Sequence, residues 1–206
     1  MSHREESPTR LKAVLLNCTL KKSPEVSNTE ALMLKVIEVL GSLDVDCELI
    51  RVVDHNIPFG VESDMGDGDE WPGILEKIMG ADILIMGMSI WFGVRSSVAQ
   101  MVIERLDGTY NTTNEVGQYP LYNKVAGVVV TGNEDGAHAA AESTLFNMTH
   151  LGCTVLPGPG TLDCPCHGST FDLAGGFIQG PSGTGLGRYV VAFDGTTVTV
   201  STTIRD

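Results

Sequence analysis

The feature that most constrains this chain is an alternation. Short apolar runs are separated by stretches whose apolar residues recur every three or four positions. The runs are Ala13-Val14-Leu15-Leu16, Cys47-Glu48-Leu49-Ile50-Arg51-Val52, Ile83-Leu84-Ile85-Met86-Gly87-Met88 and residues 125–130. The first, third and last hold no polar side chain, as a parallel strand covered on both faces requires. Leu32, Val36, Val39 and Leu40 mark one helical stripe between them. Residues 69–78 read as a second helix, Val98, Met101, Val102 and Leu106 mark a third, and residues 135–151 form a fourth. Strand alternating with helix predicts an α/β fold built on a doubly wound parallel sheet.

At 206 residues the chain holds one such domain plus a small appendage. A formal charge of −13 excludes nucleic acid, whose phosphates need clustered Lys and Arg, and disfavours an anionic membrane surface. Residues 11–16 are too short for a signal core or a membrane span, so the expected location is cytoplasmic. Five cysteines is an odd count for a secreted framework. Cys18 and Cys47 sit in strand-like segments and are expected as buried small hydrophobes.

In open parallel sheets, ligands bind beyond the carboxyl ends of the strands. Three segments reach that edge here: 17–29, 89–97 and 131–138. The first brings hydroxyls, lysines and a helix start at Ser27-Asn28-Thr29, which suits a phosphate. The second sets Trp91 and Phe92 beside Gly93, giving apolar surface and a backbone free to approach a flat ring. The third, Thr131-Gly132-Asn133-Glu134-Asp135-Gly136, is a polar turn able to offer backbone donors to a ring edge.

These three motifs together resemble the NAD(P)H-dependent FMN reductase branch of the flavodoxin-like proteins, over about residues 11–157. The resemblance implies a sheet of order 2-1-3-4-5. It also implies FMN as cofactor, NAD(P)H as co-substrate, and an oxidoreductase that reduces a small acceptor such as a quinone or flavin. Carried over, Thr19, Ser27, Asn28 and Thr29 would contact the phosphate. Ser89, Ile90, Trp91, Phe92 and Gly93 would line one side of the ring, and Thr131, Gly132, Asn133 and Gly136 the other. No catalytic residue is expected, because the flavin carries the chemistry and the protein orients it. The sequence departs from the family at Cys18-Thr19, where an early Gly-Ser is common.

The last 58 residues, from Thr149, resemble a different family, the Rieske iron–sulfur proteins. The matching boxes are Thr149-His150-Leu151-Gly152-Cys153 and Cys164-Pro165-Cys166-His167-Gly168-Ser169. By that resemblance His150, Cys164 and His167 fall on ligand positions for a [2Fe-2S] cluster, and Cys153 and Cys166 on a disulfide pair. The fourth ligand position holds Met148, a neutral thioether where a thiolate is needed. Met148 also lies on an apolar helical stripe with Ala141 and Leu145.

The expected organisation is therefore a flavodoxin-like FMN domain, 1–157, followed by a partial Rieske-like β segment, 158–206, in place of the last helix. The residues 153–157 suit either the fifth strand of the first fold or a β-strand of the second. Residues 188–193 and 197–200 read as a hairpin. With that last helix missing, apolar area near the first strand is left to be covered, and self-association into a homo-oligomer is expected. The alternative function is single-electron transfer by a Rieske-type cluster whose site is incomplete.

Overall fold

The continuous apolar runs become the central strands of a parallel sheet. The computed structural model describes residues 10–155 with their side chains, and beyond them the backbone of strands between Thr161 and Arg205. The chain divides into two compact units, Met1–Leu156 and Pro157–Asp206.

In the first unit the strands are β1 (Lys12–Cys18), β2 (Asp46–Arg51), β3 (Ile83–Trp91), β4 (Val94–Arg95), β5 (Val125–Thr131) and β6 (Thr154–Val155). Their order is β2-β1-β3-β5-β6, all parallel, with β4 an antiparallel return on β3. Setting that return aside, this is the expected order 2-1-3-4-5. The segment after Cys153 pairs parallel with β5 through Val125↔Thr154, so it serves as the fifth strand of the doubly wound sheet.

Among the described residues four α-helices cover the sheet: α1 (Asn28–Ser42), α2 (Trp71–Met79), α3 (Ser97–Asp107) and α4 (Ala137–His150). On one face Met33 of α1, with Val36, Ile37 and Leu40 beside it, packs on Ala13, Leu15, Ile85 and Val129. On the other, α2, α3 and α4 contribute Trp71, Ile78, Val102, Leu106, Ala140 and Met148 to the larger core. The α1 stripe differs from the expected one: Leu32 and Val39 are 44% and 60% exposed, and Met33 is fully buried. Gly87 selects that face, since a Cβ there would lie 2.1 Å from the Met33 sulfur.

In the second unit β7 (Thr161–Asp163), β8 (Thr170–Asp172) and β9 (Phe177–Gln179) form an antiparallel three-stranded sheet. Strands β10 (Arg188–Phe193) and β11 (Val198–Arg205) form the expected hairpin, with Phe193↔Val198 nearest the turn. Cys164, Cys166 and His167 lie outside the described residues.

Candidate functional site

The loop after β1 is fastened from several directions. Asn17 is fully buried; its carbonyl oxygen accepts from the Thr19 N–H at 3.2 Å and its amide donates to Glu30 at 3.1 Å. Arg51, at the end of β2, pairs with Glu30 and donates to the carbonyls of Glu25 (2.9 Å) and Lys21 (3.4 Å). The Ser96 hydroxyl donates to the Cys18 carbonyl at 2.7 Å. Further out, the hydroxyl and backbone N–H of Ser23 donate to Asp54 at 2.6 and 2.8 Å. Those two bonds hold the Asp54 carboxyl below the ordinary carboxylate range.

This bracing positions the start of α1. Ser27 is its cap, accepting from the Glu30 N–H at 3.1 Å, and is buried in that role. Asn28 and Thr29 follow as the first helical residues, and a helix leaves their N–H groups without a carbonyl one turn back. Lys21, on the same loop, donates from its ammonium to the Val26 carbonyl at 3.2 Å.

The loop after β3 is built differently. Trp91 donates its indole N–H to the Ser89 hydroxyl at 2.9 Å and leaves its ring 52% exposed. Phe92 and Gly93 turn the chain with φ of 51° and 83°, and β4 returns along β3. Ser96 then caps α3, accepting from the Ala99 N–H at 3.3 Å. Phe92 itself is 97% exposed.

The loop after β5 touches both others. The hydroxyls of Thr131 and Thr29 meet at 2.7 Å. Gly136, at φ 117°, passes so close to the second loop that a Cβ would lie 2.4 Å from the Gly93 carbonyl oxygen. Gly132 is similarly confined by Ile90, whose Cβ would be 3.0 Å from an added methyl.

Among these loops lies a cleft of about 440 Å³, lined by Thr19, Leu20, Lys21, Asn28, Thr29, Ser89, Ile90, Trp91, Thr131, Gly132 and Asn133. That volume falls within the roughly 300–1,000 Å³ of small-molecule sites. Of the residues singled out from sequence, Ser27, Phe92, Gly93 and Gly136 stand outside its wall. Ser27 supports the helix start from below, and the two glycines allow the loops to meet. Lys21, one of the loop lysines expected to suit a phosphate, lines the cleft, and so does Leu20, which no sequence signal marked. The donor set is sorted by end. The loop after β1 and the start of α1 supply hydroxyls, first-turn amides and an ammonium, while the loops after β3 and β5 supply Ile90, Trp91 and the Gly132-Asn133 backbone. A ligand with an anionic tail and a flat apolar body fits this arrangement.

Of the residues expected at the second site, Met148, His150 and Cys153 are among the described ones, and the first unit's fold occupies each of them. Met148 is fully buried in the core, on a face shared with Ala140 and Thr144. His150, the last residue of α4, stacks on Tyr110 and Phe146 at 5.2 and 6.0 Å between ring centroids. Cys153 is a buried free thiol, and burial pushes its pKa up to about 11. Among the described residues no grouping of three or more His, Cys, Asp or Glu side chains could hold a metal. Nor is any helix among them long and apolar enough to cross a membrane.

Residues 11–162 match the NADPH-dependent FMN reductase family. The chain belongs to that family. It is 37% identical over 186 residues to 8-demethyl-8-aminoriboflavin-5'-phosphate synthase of Streptomyces davaonensis, covering 86% of this chain and 66% of that protein. It is also similar to the crystal structure of RosB with bound intermediate 8-demethyl-8-formylriboflavin-5'-phosphate. There the identity is 39% and the TM-score 0.66, over 71% of this chain and 62% of that one. The chain thus spans two thirds or less of the length of both relatives. A more distant likeness, 28% over 136 residues, is to the cytochrome b6-f complex iron-sulfur subunit of Chlorobaculum thiosulfatiphilum, covering 63% of this chain and 74% of that subunit.

Proposed function

We propose that the first unit binds FMN in this cleft and acts as an oxidoreductase, with NAD(P)H as hydride donor and a quinone, flavin or similar small molecule as acceptor. The observation that supports this most is the meeting of Thr29 and Thr131, 102 residues apart, at 2.7 Å beside one cleft with a polar end and an apolar end. Thr19, Asn28 and Thr29, with Lys21, would hold the phosphate. Ser89, Ile90 and Trp91 would lie along one side of the ring, and Thr131, Gly132 and Asn133 along the other. Gly93 and Gly136 keep the two ring-side loops in contact, and Ser27 keeps the first turn of α1 in register. The bound flavin supplies the redox step, by which NAD(P)H, a proton and a quinone become NAD(P)⁺ and a hydroquinone. The protein's part is to hold the phosphate in a prebuilt cradle, set the ring against Trp91, and keep water from that side of it. A family relative acting on a riboflavin phosphate is in keeping with this chemistry. We place the reaction in the cytoplasm, in keeping with the absence of a membrane-crossing helix among the described residues.

Incubation of the full chain with FMN followed by gel filtration tests the reading. The expected product is yellow, carries about one flavin per chain, and oxidises NAD(P)H when a quinone is added. Colourless protein that leaves NAD(P)H untouched contradicts it. Self-association belongs to the same proposal, since a single helix among the described ones, α1, covers its face of the sheet. Light scattering of a monomer at high concentration would count against it.

A second reading, an iron–sulfur tail, is favoured by the Cys164-Pro165-Cys166-His167-Gly168-Ser169 motif. The burial of Met148 in α4 argues that such a site is a ligand short. Iron and acid-labile sulfide at negligible levels after anaerobic reconstitution would remove it.

A further inference from the structure

A second cavity, of about 620 Å³, adjoins the cleft and shares Leu20 and Trp91 with it; Val94, Arg95, Ser97, Gln100, Ala139 and Ser143 complete its wall. Its surface is mainly apolar, and Arg95 is the one cation on it. That guanidinium is held in an unusual way for a chain of net charge −13. Its Nε donates to the Gln100 side-chain oxygen at 2.9 Å, and one terminal nitrogen donates to Thr144 (3.3 Å) and Asn147 (2.9 Å). All three partners are neutral. Among the described residues no carboxylate lies within ion-pair distance of it. Glu104, the acid that acts on it electrostatically, is bonded by the Gln100 amide at 2.8 Å.

A half-buried cation has lost part of its hydration, and neutral partners offset that loss only in part. Burial accordingly draws the Arg95 pKa below its ordinary value. The other terminal nitrogen makes no hydrogen bond among the described residues, so its two N–H groups are left to donate to an anion. A charged N–H of this kind can donate to one carboxylate oxygen in a charge-assisted hydrogen bond. One cation suits one negative charge, where a phosphate dianion would call for a second. Trp91 and Val94, 52% and 59% exposed, offer the apolar side of the cavity to a flat body.

We propose that this cavity binds a flat apolar molecule bearing a single carboxylate, its body against Trp91 and Val94 and its carboxylate on Arg95, and that it is the acceptor's subsite. The binding stands on the cavity alone. The acceptor role rests on the flavin reading above.

Calorimetric titration of the full chain with 2-naphthoate, and with its neutral counterpart 2-naphthamide, tests the binding. The acid is expected to bind at least about tenfold more tightly than the amide, as for a charge-assisted pair. Arg95→Gln should erase that preference and leave the amide within about twofold. Ala139→Trp, at an exposed helix position on the cavity wall, should weaken both ligands, and it reads the site independently of Arg95→Gln folding. Equal affinity for acid and amide, no heat from either ligand, or a preference that survives Arg95→Gln would each overturn the proposal. For the acceptor role, naphthoate should raise the KM for a quinone in FMN-loaded protein without lowering kcat. Binding of naphthoate with no such competition would overturn that role. A chain that fails to take up FMN still gives the naphthoate titration, so failure of the flavin reading is seen separately.

Discussion

The two ends of the cleft are made by opposite means. The anion end is held by long-range bonds: Arg51 to Glu30, Lys21 and Glu25, Asn17 to Glu30, Ser96 to the Cys18 carbonyl, and Asp54 to Ser23. The aromatic surface at the ring end is held by little beyond a local turn, with Trp91 bonded to Ser89 two residues away and Phe92 almost wholly in solvent. One end is therefore part of the fold, and the other is a surface presented by it. Substitutions at the first should cost stability and binding together; truncating the exposed aromatic surface at the second should cost binding alone, whereas substituting the glycines that let its loops meet should cost stability.

The largest effect is expected for Arg51→Met. It leaves Glu30 without its cation, bonded by the Asn17 amide alone, and frees two carbonyls, and the loss should be about 2–3 kcal/mol of stability in urea unfolding. FMN affinity should fall at least about tenfold with it, because the cradle loosens. Unchanged stability would erase the contrast between the ends. Gly136→Ala comes next. The new methyl meets the Gly93 carbonyl in a backbone region closed to L-residues, for roughly 1–3 kcal/mol. Trp91→Ala should leave the unfolding midpoint nearly unchanged, within about 0.5 kcal/mol, for an exposed side chain. Its FMN dissociation constant should nevertheless rise about five- to thirtyfold as ring contact is lost. A large loss of stability there would mean that the ring loop is structural after all.

The smallest effect concerns acid. Asp54 has its folded pKa depressed by Ser23, so its contribution to stability is present above the ordinary carboxylate value of about 3.9 and lost as pH falls through the lower folded value. Asp54→Asn should flatten part of the fall in urea midpoint below about pH 4 and change nothing at pH 7 in its slope. The ring loop, 89–97, holds no carboxylate, so it has no counterpart to this.

What sequence could reveal follows the same division. The strands were legible because β1, β3 and β5 are apolar without alternation, and a sheet covered on both faces admits little else. The three loops were legible because they lie at one sheet edge by topology. The buried face of α1 was not: its apolar residues surround much of the helix, and the choice of Met33 depends on Gly87 across the sheet. Arg51 and Arg105 were equally hidden. Arg105 is wholly buried with Asp69 at 2.5 Å, 36 residues away, under the ring of Trp71, and no local pattern announces such a pair. Burial opposes the Asp69 charge, yet Arg105 and the N–H groups of Met65 and Trp71 outweigh it and keep the carboxyl below its ordinary value. Ser27, a helix-start residue by its position and a phosphate contact by the family resemblance, caps α1 by accepting from the Glu30 N–H.

A parallel titration of the full chain with FMN and with riboflavin, followed by flavin fluorescence, tests the built anion end most directly. The two ligands differ only in the phosphate. FMN should bind about a hundredfold more tightly, the worth of two or so charge-assisted hydrogen bonds to the first turn of α1 and its neighbours. Equal affinity for the two, or no binding of either, would contradict the account.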